Sequence, residues 1–371
     1  MRGRDAITRA GEAVSQIVCV IPQDGAASLR RLIESLGIGE MSVQPARRTL
    51  LRERRTRSRG ATPLSEQLVE VVRFNVASAA APRLVATLAD GVGFGEPGRG
   101  SIVSRRLALV GAAPSSPASD RRRRQPRSAA LASGLASLCC IVPRGVGASI
   151  ARVALEAGLG VPVVAYGRGV GKRGRLGLIR VTIPVEKEIV TITLSRHDIG
   201  EAFRLVTEVM QIDRPGAGFC YWYPLERGIL DQRIWVGRQP YVASMEQVIA
   251  ALDVVTGDTA WRRKADRAGG AAAARSVRLA CYTIHGTEGD TEELVNAALA
   301  AGAGGATLVK LRRERFTAAA DAPSAHEASD LIVAASQLGR IHAAVRDAGL
   351  VARDGFAEVA EVGGASGYRA P

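Results

Sequence analysis

The stretch CVIPQDGAASLRRLIESLG (Cys19–Gly37) is written again, with changes, as CIVPRGVGASIARVALEAG (Cys140–Gly158). Such repetition constrains the fold strongly, because each copy is one supersecondary unit whose apolar face needs its neighbours for cover. Ten positions after Cys19 an amphipathic pattern begins with Leu29, Leu32, Ile33 and Leu36. Ten positions after Cys140 come Ile150, Val153, Ala154 and Ala157. Both follow the i, i+3, i+4, i+7 spacing of one helix face. The same offsets from Cys281, in RLACYTIHG, give Thr291, Leu294, Val295 and Ala298, so a third copy follows with Thr291 as a mild exception.

Each copy continues alike. A Gly-containing turn leads to a short apolar strand: MSVQPARR, VPVVAYGRG and ATLVKLRRE. A polar or basic loop precedes a second strand: Leu68–Ala77, Glu188–Ser195 and Leu331–Ser336. Val190, Ile192 and Leu194 alternate there with Thr191 and Thr193, the period of a half-buried strand. A second helix is expected around Ala81–Ala89, Ile199–Ile212 and Leu338–Ala348, then a Gly-marked turn and a last strand. The order βαββαβ, three times over, predicts an α+β fold of three tandem ferredoxin-like domains. Their expected bounds are residues 16–110, 137–256 and 276–362, joined by Arg/Pro/Ala-rich linkers at 111–136 and 257–275. A short helix, Ser244–Gly257, is expected before the second linker, with Ser244 and Gln247 at capping-box spacing.

Five cysteines occur without a CxxC pair, which argues against a disulfide framework and against zinc. Cys19, Cys140 and Cys281 sit in apolar runs, where cysteine behaves as a small buried hydrophobe. The four histidines, His197, His285, His326 and His342, show no metal-ligand spacing, and no GxSxG elbow is present. The chain is therefore not expected to be an enzyme. No run approaches the ~18 apolar residues of a membrane span, and a cytoplasmic protein is expected.

Glycine-rich turns carry the functional signal. Pro97-Gly98-Arg99-Gly100 and Pro215-Gly216-Ala217-Gly218 stand at matched positions before the last strand of their copies. Paired glycines let backbone N–H groups converge on a phosphate, and they equally form an ordinary tight turn. In YGRGVGKRGRLG, Gly167, Gly169 and Gly171 alternate with Arg168, and Lys172 follows. That pattern suits close backbone approach to phosphate, and equally a mobile basic hairpin loop.

With these loops, the chain resembles the P-II nitrogen-regulatory signalling proteins over most of residues 16–255 and more weakly over 276–362. The family shares the βαββαβ unit, a long loop between the second and third strands, and a Gly-rich loop before the fourth. Here the long loops correspond to Ala46–Gln67 and Gly167–Arg180. The resemblance implies ATP or ADP as an effector bound in clefts between domains. Gly98, Arg99, Gly100, Gly167, Arg168, Gly169, Gly171, Lys172, Gly216 and Gly218 are then candidate contacts, with Lys187 as a nucleotide-contacting lysine. It implies a regulated enzyme or membrane transporter as partner, and a monomer folded as an intramolecular pseudo-trimer. The chain departs from the family at Ser101 and Phe219, where a lysine often follows the Gly-x-Gly turn, and in the third copy, which has only Gly355. Neither long loop carries a tyrosine, which argues against nucleotidylylation.

Two other readings stay open. Net charge is +14, and Arg47, Arg48, Arg52, Arg54, Arg55, Arg57 and Arg59 crowd one stretch, with Arg121–Arg124 in another. Clustered arginine binds nucleic-acid backbones, but aromatics make up only 4% and do not interleave the strands for base stacking. Nucleic acid is thus not the expected partner. A scaffold that keeps the architecture without a ligand is the third reading.

Overall fold

The computed structural model describes residues 12–51, 63–110, 131–171, 186–231, 278–316 and 324–367. The expected helix Ser244–Gly257, the second linker, the arginines from Arg52 to Arg59 and Arg121 to Arg124, and Lys172 lie outside the described residues.

The first third of the chain runs β1 (Glu12–Pro22), α1 (Gln23–Ser35), β2 (Glu40–Leu51), β3 (Leu64–Ala77), α2 (Ala81–Val92) and β4 (Ser101–Val110). Helix α1 forms where the apolar positions recur at helical spacing. Ala26, Leu29 and Ile33 are buried on its inner face, and Asp24 in the first turn complements the helix dipole. It stops at Gly37, whose φ of 74° lets Ile38 N–H reach Ile33 O at 3.4 Å. The second third is written alike: β5 (Ala132–Ser133), β6 (Leu135–Pro143), α3 (Gly147–Glu156), β7 (Val163–Gly171), β8 (Glu186–Ser195), α4 (Ile199–Met210), β9 (Phe219–Pro224) and β10 (Arg227–Ile229). Helix α3 ends in the same way, with Gly158 at φ 76° and Leu159 N–H on Ala154 O. The last third is β11 (Leu279–Thr287), α5 (Thr291–Ala300), β12 (Gly305–Arg315), β13 (Ser324–Ala334), α6 (Leu338–Asp347), β14 (Phe356–Val362) and β15 (Gly364–Gly367).

The strands do not divide into three domains. They form one 15-stranded sheet, thirteen strands in the order β12-β13-β11-β14-β4-β1-β3-β2-β7-β8-β6-β9-β15, with β10 pairing off this path to β4 and to β5. Every pairing is antiparallel, and β12 also pairs with β2 and β7, so nine strands close into a barrel. This overturns the expectation of three tandem ferredoxin-like domains in a P-II-like pseudo-trimer. Backbone hydrogen bonds cross every boundary: β10 adds to β4, β15 to β9, and Leu107–Val110 of β4 to β14. On the opposite side Arg47 pairs with Val164, Arg312 with Val43, and Gly305 with Gly171. A closed barrel also removes exposed strand edges. Strand β6 begins at Leu135, inside the stretch read as the first linker.

Both faces of the sheet are occupied. Outside, three helix pairs cover three cores, built around Leu29 and Leu88, Ile150 and Val206, and Leu294 and Ile341. Each such fully buried side chain is worth about 1.5–3 kcal/mol relative to exposure. Inside, the strands line a common lumen. Val190, Ile192 and Leu194 join an outer core, whereas Thr191 and Thr193 line the lumen.

Facing also corrects the third anchor. Cys19 and Cys140 point into outer cores, but Cys281 points the other way and packs with Cys139 and Tyr221. The outward residue in the matching place is Ile284, seven residues before Thr291, as Cys19 precedes Ala26 and Cys140 precedes Gly147. Thr291 thus opens its helix, fully buried, and its hydroxyl donates to Glu327.

Candidate functional site

The two Pro-Gly-x-Gly turns fold alike. Gly98 and Gly100 have φ of 80° and 100°, and Gly216 and Gly218 have φ of 82° and 125°. A Cβ on Gly100 would meet Val20 O at 1.9 Å, and one on Gly218 would meet Ile141 O at 2.3 Å. In the third unit a Cβ on Gly355 would meet His285 O at 2.9 Å. The recurring glycine therefore answers a backbone carbonyl of the unit's first strand. Arg99 does not turn into the cleft; it is half-exposed and pairs with Glu96 at 3.2 Å.

The cation at the first turn is Arg48, which is only 2% exposed. Its Nη2 donates to Gly98 O at 2.8 Å, its Nε to Gln67 Oε1 at 2.8 Å, and its Nη1 to Asp231 Oδ2 at 2.7 Å. Gly100 N–H also donates to the Asp231 carboxylate. Burial raises the Asp231 carboxyl above the usual carboxylate range, against the pull of Arg48. Turn and guanidinium thus hold an anion supplied by the chain itself, from the segment that follows β10. Sequence reasoning placed Arg48 in a loop, whereas β2 runs on to Leu51 and carries it. Nothing local marked Asp231, which lies far along the chain from the turn it fills.

The second glycine cluster is a strand. Gly167, Arg168, Gly169 and Gly171 lie on β7, and Arg168, Gly169 and Gly171 pair with Leu308, Thr307 and Gly305 of β12. A Cβ on Gly167 would meet Leu308 O at 2.9 Å. Close approach of two strands thus requires Gly167, whereas a Cβ on Gly171 would come no nearer than 3.8 Å, to Gly304 O, an ordinary contact. Arg168 reaches Glu292 at 3.6 Å, both largely exposed. Lys187 pairs opposite Gly167 on β8 and is buried, which lowers its ammonium pKa. Beside it, Glu188 accepts from the N–H groups of Gly145 and Gly147 at 3.0 and 2.8 Å and pairs with Arg47 at 3.1 Å. The structure therefore does not gather the candidate residues into one place. Gly98 and Gly100 share the Arg48 cleft, Gly216 and Gly218 form a separate turn, and the Gly167–Gly171 run seals a seam.

The lumen was not foreseen. It forms a cavity of about 680 Å³, within the range of small-molecule sites. Arg73 and Arg105 from the first unit, Tyr223 from the second, and Thr283, Asp330 and Glu358 from the third all line it. Arg105 lies over the Tyr223 ring at 5.1 Å and donates to Gln16 Oε1 at 2.9 Å. Glu358 takes hydrogen bonds from Gln16 at 3.0 Å and Asn75 at 2.7 Å, with His285 at 3.4 Å and Arg105 at 3.7 Å.

No protein-family model matches the chain, and no curated protein is similar to it.

Among the described residues no group of three or more His, Cys, Asp or Glu is placed to hold a metal ion. Nor is any described helix long and apolar enough to cross a membrane. The five cysteines are free and buried, and burial pushes the thiols of Cys139 and Cys220 up to about 12, so the reactive thiolate is disfavoured at neutral pH.

Two buried groups make stability depend on acid. Burial works to raise the Glu358 carboxyl, but His285, Arg105 and Asn75 outweigh it and hold the group down to about 2, against an ordinary 4.5. Burial, with His285 and Arg313 nearby, pushes His326 from 6.5 down to about 3. For both, the unfolded chain binds the proton at a higher pH than the folded one, so stability falls with pH. The fall begins near 6.5 through His326, with His342, whose pKa burial also lowers, adding to it, and continues below 4.5 through Glu358. Urea midpoints followed by circular dichroism should decline from pH 6.5 to 3, and His326→Gln should flatten the portion above pH 4.5. An unchanged slope in the variant would remove His326 as its source.

Proposed function

We propose that the chain is a non-catalytic regulatory protein that works as the P-II proteins do. It takes a small anionic effector, an adenine nucleotide or simpler, in a cleft along a seam, and passes its state to a regulated enzyme or transporter. The observation supporting this reading is the carboxylate of Asp231, held by Arg48 at 2.7 Å and by the N–H of Gly100. Backbone donors at a glycine turn with a buried guanidinium suit a phosphate or carboxylate equally. An effector would displace Asp231 and so release the segment that carries it.

Calorimetry of the full chain with ATP, ADP and AMP tests this. Asp231→Asn weakens the internal competitor, so the variant is expected to bind the effector about tenfold more tightly, or ~1.4 kcal/mol. Absence of binding to both proteins would sink the reading. The same ion pair favours a second one, a ligand-free scaffold, because a satisfied carboxylate already fills the cleft; silence in both titrations is the result that reading requires.

A further inference from the structure

Arg73 is a cation inside a barrel with no hydrogen-bond or ion-pair partner among the described residues. It stands on β3, opposite Val18 of β1, and lines the lumen. Leaving a charge in low dielectric without a partner is costly, and burial lowers its pKa even though Asp330, Glu358 and Tyr223 favour the charged form. Among the lumen carboxylates Glu358 is fully engaged, whereas Asp330 takes only the Thr283 hydroxyl, at 2.7 Å on Oδ1. One guanidinium and one carboxylate oxygen are therefore open to the same cavity. Asp198 and Asp231 line the cavity as well, Asp231 against Arg48, so with Arg73, Arg105, Asp330 and Glu358 the lining holds no excess of positive charge and a bare anion would add uncompensated negative charge. A ligand carrying both signs would not. Val18, Val103, Val309 and Leu311 line the same cavity and offer an apolar wall.

We propose that the lumen is a binding site for a small zwitterion of the amino-acid class, its carboxylate on Arg73, its ammonium on Asp330 and its side chain against the valine-rich wall. The cavity is also lined by Gly158, Leu159, Asp198 and Leu230, which are partly exposed, so it reaches the seam where the turn after α3 meets the strand that follows β9. Ser101, Gly228 and Asp231 line the same cavity, so this site adjoins the contact between Arg48 and the Gly98–Gly100 turn.

The test is calorimetry and thermal denaturation of the full chain with each protein amino acid. For the tightest, the analogue without the ammonium and the analogue without the carboxylate are run beside it; for leucine these are 4-methylpentanoate and 3-methylbutylamine. At least one amino acid is expected to bind and raise the melting temperature, and neither analogue to match it. Arg73→Met should weaken binding about tenfold or more, the size of a lost charged hydrogen bond. Without ligand, Arg73→Met should melt no lower than the parent, since an unpartnered buried charge does not stabilise. If that variant does not fold, Asp330→Asn supplies the same binding test through the ammonium. No binding by any amino acid, an analogue that binds equally well, or variants with parental affinity would each overturn the site.

Discussion

Gly100→Ala is expected to cost on the order of 3 kcal/mol or more, a large part of the stability of an ordinary domain. Two effects add. The residue sits at φ 100°, where an L side chain is strained, and its Cβ would lie 1.9 Å from the carbonyl oxygen of Val20. That oxygen cannot swing aside, because β1 is held on one side by β3 and on the other by β4. Gly216→Ala is the control. Its φ of 82° imposes strain, but the space around it is open, so ~1 kcal/mol is expected. Urea midpoints of the two variants measure the difference. Equal losses would mean that strain alone governs these turns and that close packing on β1 contributes nothing.

The same contrast explains how much could be read in advance. Helices were legible because their apolar positions recur locally; Leu29 and Ile33, or Ile150 and Ala154, need no knowledge of the rest of the chain. Alternation in β8 was legible for the same reason. Seams were not, since the pairing of Arg47 with Val164 depends on register between strands far apart in sequence. Hence Gly167–Gly171 looked like a loop, although Gly167 lets two backbones approach across a seam. The lumen was hidden too. Arg73 and Arg105 carried no motif or spacing signal, and only the pairing of strands from all three units brings them to one cavity. At the candidate site, the glycine turns were visible as motifs but their partners were not. Arg48 fell in an arginine-rich stretch that resembled a solvated loop, and Asp231 carried no local signal.

Arg48→Met should be the most damaging single change in the cleft, with a loss of about 3–5 kcal/mol. The guanidinium serves three acceptors at once, the Gly98 carbonyl, the Gln67 amide oxygen and the Asp231 carboxylate. Methionine fills similar volume but satisfies none of them; Gln67 is exposed and can turn to water, whereas the Asp231 carboxylate, only 9% exposed, is left without its cation, and the penalty falls mainly there. Asp231→Asn should be far milder. Burial already raises that carboxyl against the pull of Arg48, so a neutral amide avoids a desolvation cost while its oxygen still accepts from Arg48. The double variant Arg48→Met, Asp231→Leu should recover part of the loss, because two apolar groups leave no orphaned charge. Chemical denaturation of the three variants gives the coupling directly. If Arg48→Met were no worse than Asp231→Asn, the pair would be incidental to the seam. The segment after β10 would then be held by the hydrogen bonds of Arg227–Ile229 to β4 alone, and displacing Asp231 could not release it.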